Sequence, residues 1–263
     1  MIDLRRRDGR VLRVGHRGAA ALEPENTLRS LERAVALGVD FVEFDVLDLR
    51  EGTLVLAHSD DLREVSHGGA RGRVRRRTLA ELRRVAPELP TLDEALTFFA
   101  RRAPGVGLHV DLKCYGREHV LVDALRAHDL AGRTVVSSFS RRSIERVRAA
   151  APDLRVGIAY PHDRVGVAER RPVAPLVVPA LLALRRALPR RIGRWLDATA
   201  ASAAMLHFAV LSRAVVERCH ERGAAVFAWT VNDERWARRL VDLGVDGLIS
   251  DDPTLLARLD SRP

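Results

Sequence analysis

The run 39-VDFVEFDV-46 sets two carboxylates into a segment that is otherwise apolar apart from Asp40. A β-strand alternates its faces with period two, so Phe41, Glu43 and Asp45 share one face and Val42, Phe44 and Val46 the other. The β-branched face is expected to meet helices, which turns both carboxylates inward. A second run, 108-LHVDLK-113, repeats the pattern, with His109, Asp111 and Lys113 on one face and Leu108, Val110 and Leu112 on the other. Strands packed outside by helices, with charged groups near their C-terminal ends, are the arrangement of a barrel enzyme.

Working outward, six further β-like runs appear at 11–16, 133–139, 155–160, 205–210, 225–231 and 245–250, and a short extra one, 53-TLVLAH-58, follows a turn at Glu51-Gly52. Helical periodicity fills most of the gaps. NTLRSLERAVALG aligns Leu28, Leu31 and Val35 and stops at Gly38, Thr91 and Glu94 have capping-box spacing, and NDERWARRLVDLG ends at Gly244. Eight strands, each usually followed by a helix, predict an α/β fold, a TIM (β/α)8 barrel. No Gly-x-Gly-x-x-Gly turn follows the first strand, which counts against a doubly wound open sheet. The barrel is expected to occupy all 263 residues as one domain. Residues 161–204 exceed one connecting helix and predict a helical insertion between barrel strands 5 and 6, read as an extra helix pair on the rim. Within it, 175–204 is apolar on one face and arginine-rich on the other, so peripheral membrane contact is an alternative to core packing.

Composition narrows the function classes. The net charge of +9 comes from arginine spread along the chain, and Lys113 is the only lysine among 44 Lys and Arg residues. Such a surface attracts anions, but no aromatic-interleaved basic motif points to a specific nucleic acid. The cysteines, Cys114 and Cys219, are too few for a disulfide framework and lack zinc spacing. With no apolar run of spanning length and no signal-like N-terminus, a cytoplasmic location is expected. At the strand ends, His16 and His58 join Glu43, Asp45 and Asp111. Crowded carboxylates repel by roughly 4 kcal/mol at 4 Å and an effective dielectric of 20, so they raise their pKa values or recruit a cation. An all-oxygen set suits Mg²⁺ or Ca²⁺ better than zinc. The structural alternative is an internal ion-pair network with Arg17 and Lys113. His109, deeper on the inner face, reads as a hydrogen-bonded core residue.

The segments VGHRGAAALEPENTLRSLERAVALGVDFVEFDV and GTLVLAH, then PTLDEAL, DLK, SSFSRRSIERV, AWTVND and GVDGLISDDP, occur in an order that resembles the glycerophosphodiester phosphodiesterase family along nearly the whole chain. The resemblance implies a TIM barrel and metal-dependent hydrolysis of glycerophosphodiesters to glycerol 3-phosphate and an alcohol. By its motifs, His16 and His58 would be the catalytic pair, and Glu43, Asp45 and Asp111 the ligands of a divalent cation, Mg²⁺ or Ca²⁺. Arg17 and Lys113 would bind phosphate, and Trp229 would line the glycerol side. Two positions depart from the pattern: Ser59 replaces the usual aspartate after the second histidine, and Asp111 replaces a glutamate. Two alternatives stand beside this reading: a lysophospholipase D acting on lysophospholipids, and a catalytically silent barrel that binds anions or lipid.

Overall fold

The computed structural model describes residues 2–6, 9–162 and 174–259. Its strands are β1 (Leu12–Gly15), β2 (Phe41–Asp48), β3 (Leu54–Leu56), β4 (Gly107–Leu112), β5 (Thr134–Ser138), β6 (Arg155–Tyr160), β7 (Ala203–His207), β8 (Ala225–Trp229) and β9 (Gly247–Ser250). The parallel strands run β1-β9-β8-β7-β6-β5-β4-β2, and β2 pairs back onto β1, which closes an eight-stranded TIM barrel. β3 folds back antiparallel on the upper end of β2, pairing Val46 with Leu56. The barrel removes every sheet edge except that of β3.

The helices are α1 (Leu28–Ala36), α2 (Leu62–Val65), α3 (Leu79–Arg83), α4 (Leu92–Arg102), α5 (Glu118–Ala127), α6 (Arg141–Ala150), α7 (Ala174–Thr199), α8 (Arg213–His220), α9 (Glu234–Leu243) and α10 (Pro253–Ala257). Their ends follow the capping chemistry of the sequence. Thr91 and Glu94 form a reciprocal capping box at α4, and Gly244 ends α9 in the left-handed conformation at φ 96°.

Between β6 and β7, the described chain holds one helix of 26 residues where an extra pair was expected. The reason is a single stripe in one helical phase: Leu188, Ile192 and Leu196 are buried across Pro189, and Leu181 and Leu184 continue the line toward the N-terminus. This face packs on the barrel, so α7 serves as the barrel's own outer helix, lengthened toward its N-terminus. Residues 163–173 of the expected insertion lie outside the described residues. β7 also begins earlier than the 205–210 run, and Phe208–Val210 form a 3-10 turn. Among the described residues, no helix is long and apolar enough to cross a membrane.

Two apolar layers flank the strands. Outside, Val42, Phe44 and Val46 join the helix-facing core, where Phe44 stacks on Phe99 with ring centroids 5.7 Å apart. Inside, Phe41 and Phe227 meet edge to face at 6.1 Å and fill the barrel floor with Val14, Val135, Met205 and Ile249. Each ring lies over a glycine on the neighbouring strand: Phe41 pairs with Gly107, and Phe227 with Gly247. A Cβ on Gly107 would sit 2.5 Å from the Phe41 ring, and one on Gly247 would sit 2.3 Å from the Phe227 ring. The floor is therefore packed without spare room, and the polar groups of the inner face are pushed to the mouth.

Gly247→Ala is expected to destabilise the protein by about 1–3 kcal/mol through overpacking, read as a lower urea midpoint. An unchanged midpoint would contradict the packing of the floor.

Candidate active site

The register of three neighbouring strands assembles the site. β2 and β4 align Glu43 with His109 and Asp45 with Asp111, and β5 sets Ser137 opposite Asp111. Side chains on one inner face therefore stack in rows across the strands. Glu43, Asp45 and Asp111 are all buried, and one carboxylate oxygen from each lies within 4.8 Å of the others.

Two cations enter this acidic row. Lys113 Nζ is 3.0 Å from Asp45 and also donates to Asp111. Arg17 Nε lies 3.2 Å from Asp45 without hydrogen-bond geometry, while its Nη1 donates to Glu25 at 2.9 and 2.8 Å. The Arg17 backbone N–H donates to Glu43 at 2.7 Å. Burial pushes Glu43 well above the usual carboxylate range, and the charges of Asp45 and Asp111 add to it, against Arg17. Burial acts upward on Asp45 as well, but Lys113 and Arg17 hold that group well below the usual range. Burial alone would lower Lys113, yet Asp111 and Asp45 raise it. Two cations face three carboxylates, and because Glu43 tends to keep its proton the charges of the row come near to balance; its hard oxygen donors lie close enough together to hold a divalent cation. The ion-pair network and the carboxylate cluster that could hold a metal ion share the same residues.

Supporting groups that sequence reasoning left without roles fix these side chains. Asn26, in the left-handed conformation at φ 56°, donates from Nδ2 to Asp45 at 3.0 Å and accepts the Asp45 backbone N–H at 3.1 Å. Ser137 donates to Asp111 at 3.0 Å and lies 2.8 Å from His109 Nε2. With the serine proton committed to Asp111, the His109 proton must sit on Nε2. Burial lowers His109 to about 4, so it is neutral at pH 7, as a core residue should be.

The two strand-end histidines each meet a carboxylate. His16 Nδ1 is 2.6 Å from Asp251, and its Nε2 is 3.9 Å from Glu43. Asn232 donates to the other oxygen of Asp251 and accepts its backbone N–H at 3.0 Å. Burial would raise Asp251, but the bonds from His16 and Asn232 hold it below the ordinary range. His58 Nδ1 is 3.2 Å from Glu64. Asp251 and Asn232 stand in the quoted GLISDDP and AWTVND segments, so their place was visible, but not their partner. Glu64 carries no such signal. Trp229, at the end of β8, meets Phe139 edge to face at 5.9 Å and His207 at 5.1 Å. Lys113 Nζ is 5.0 Å from the Phe139 ring centroid, so this aromatic wall adjoins the charged row.

The glycerophosphoryl diester phosphodiesterase family model matches residues 16–255, from the first strand-end histidine just after β1 into α10. The chain belongs to the glycerophosphoryl diester phosphodiesterase family. A glycerophosphodiester phosphodiesterase from Caldanaerobacter subterraneus subsp. tengcongensis is 28% identical over 264 residues, covering 95% of this chain and 98% of the relative. Among solved structures, an Oleispira antarctica phosphodiesterase in complex with the product sn-glycerol-3-phosphate is 26% identical, with a TM-score of 0.73 and coverage of 95% and 98%. A glycerophosphodiester phosphodiesterase from Thermotoga maritima shares the fold at 21% identity, with a TM-score of 0.74 and coverage of 95% and 98%. A barrel of this family thus carries its acidic row between two histidines at the C-terminal rim.

Lys113→Met should leave Asp45 and Asp111 without their shared ammonium. In chelator at neutral pH it is expected to cost about 3–5 kcal/mol, the usual penalty for stripping one partner from a buried ion pair, read by urea unfolding. A loss below about 1 kcal/mol would show that the row does not depend on this lysine.

Proposed function

We propose that this protein hydrolyses glycerophosphodiesters to glycerol 3-phosphate and an alcohol, as one domain, with a divalent cation held by Glu43, Asp45 and Asp111. The observation that carries the reading is the meeting of three buried carboxylates with Arg17 and Lys113. The product complex of the Oleispira relative supports the substrate class. Mg²⁺ or Ca²⁺ suits a donor set made only of oxygen. When bound, the cation would polarise a non-bridging phosphoryl oxygen and offset charge that grows in the transition state.

The chain's own groups do the rest. Arg17 offers a planar fork to the phosphate, already oriented by Glu25 and Asp45. Lys113 adds a compact ammonium between Asp45 and Asp111, where the larger guanidinium would crowd the carboxylates. That steric demand accounts for one lysine in an arginine-rich chain. Each histidine has its Nδ1 turned to a carboxylate, which leaves Nε2 for proton transfer. One removes the proton from the nucleophile, water or the substrate's own 2-hydroxyl. The other protonates the departing alkoxide. Trp229, with Phe139, forms an apolar wall suited to the carbon face of glycerol.

Lysophospholipid substrates and membrane contact through 175–204 would draw on α7. Its apolar stripe is spent on the barrel, and Leu182 is the large apolar side chain it exposes among those described. This favours the water-soluble diester, with contact to acidic headgroups left to the exposed Arg186, Arg190, Arg191 and Arg194.

Hydrolysis of glycerophosphocholine should vanish in chelator and return with Mg²⁺ or Ca²⁺. His16→Ala and His58→Ala should each lower kcat by about 10²–10⁴. Activity that survives chelation would sink the metal-dependent reading, and no activity with either ion would leave the silent anion-binding barrel. Lysophosphatidylcholine turned over faster than glycerophosphocholine would favour the lysophospholipase D instead. Lys113→Arg at near wild-type turnover would remove the steric argument.

A further inference from the structure

His58 lacks the aspartate that the resemblance places directly after it, since residue 59 is serine. Six residues on, α2 brings Glu64 to the same imidazole. Its Oε1 lies 3.2 Å from His58 Nδ1, and its Oε2 accepts a short hydrogen bond from the Ser59 hydroxyl. The Asp61 backbone N–H in turn donates to Ser59 Oγ at 3.2 Å. A carboxylate accepts only, so the ring proton belongs on Nδ1 and the Nε2 lone pair is left free. Burial would raise Glu64, but the bonds to His58 and Ser59 keep it below the usual range, so it stays ionised.

The short helix that carries Glu64 is held from several sides. Asp61 caps it through the Arg63 N–H, Leu62 is buried among Leu47, Val74 and Leu82, and Asp60 accepts the Arg75 backbone N–H at 2.8 Å. The dyad mirrors the one at the other histidine, where Asp251 meets His16 Nδ1 from the end of the adjacent strand β9. The strand-end histidines are thus matched by carboxylates from unrelated loops.

We propose that Glu64, clamped by Ser59, is the positioning residue of His58, fixing its tautomer and ring orientation. The inference rests on His58 being one of the proposed catalytic pair. Glu64 need not touch substrate, and its effect passes through the imidazole.

The test uses the full chain with Mg²⁺ and glycerophosphocholine. Glu64→Ala should lower kcat by about 10–100-fold, the usual cost of losing an orienting partner to a histidine, with KM held within about twofold. Glu64→Gln keeps an acceptor for Nδ1 and should fall between that variant and the parent. Ser59→Ala should cost less, and Ser59→Ala/Glu64→Ala should be no slower than Glu64→Ala alone, because the serine acts through the glutamate. Ring ¹⁵N shifts of His58 should report the Nδ1–H tautomer in the parent and a mixture in Glu64→Ala. Unchanged ring shifts, or a kcat within twofold of the parent, would overturn the proposal, as would losses that multiply in the double variant. Should Glu64→Ala not fold, the Glu64→Gln shifts and kcat decide by the same criteria. An inactive parent would sink the proposed hydrolysis alone, because the ring shifts still report the tautomer.

Discussion

The structure depends on keeping three carboxylates dry in one row. Glu43, Asp45 and Asp111 are buried at the upper end of the barrel, and charge of one sign cannot be taken out of water unless something answers it. Lys113 and Arg17 answer most of it, and Asn26, Ser137 and the Arg17 backbone N–H supply the neutral hydrogen bonds. The pull is unequal. Asp45 has both cations within 3.2 Å and stays ionised, whereas Glu43 is held chiefly by a backbone N–H and resists losing its proton. The row's hard oxygen donors lie close enough together to hold a divalent cation, and the same basic groups that steady it are suited to a phosphoryl group.

The barrel floor makes that row affordable. Phe41 and Phe227 close the lower interior edge to face, and the glycines opposite them leave the room that the rings fill. Polar side chains on the inner faces are consequently displaced toward the rim, where the loops after each strand deliver partners. His16 receives Asp251 and Asn232 from the last two βα loops, whereas His58 receives Glu64 and Ser59 from the segment after β3. Rigid strands thus set the position of each histidine, and loops set its tautomer.

Much of this was legible before any coordinates. Period-two alternation in VDFVEFDV is enough to turn Glu43 and Asp45 inward, because a strand can present only one face to the helices. The same rule sends Asp111 and Lys113 inward and places His109 one pair deeper. The capping pair Thr91 and Glu94 and the stop at Gly244 were equally plain, since they are local chemistry. Less legible was α7. The length of the gap suggests an extra helix pair, but the apolar stripe from Leu181 to Leu196 keeps one phase and makes one helix.

By itself, then, the sequence determined the barrel, the inward carboxylates and the two strand-end histidines, because alternation, spacing and caps act over a few neighbouring residues. Only the tertiary structure decided which groups meet. Strand register sets Asp45 beside Asp111 across 66 positions of chain, and barrel closure carries Asp251 to His16 across 235. Glu64 reaches His58 because a buried Leu62 pins the helical turn between them. Side-chain partnership is a matter of distance in space, and it becomes readable only once the sheet has curled and its last strand has found its first.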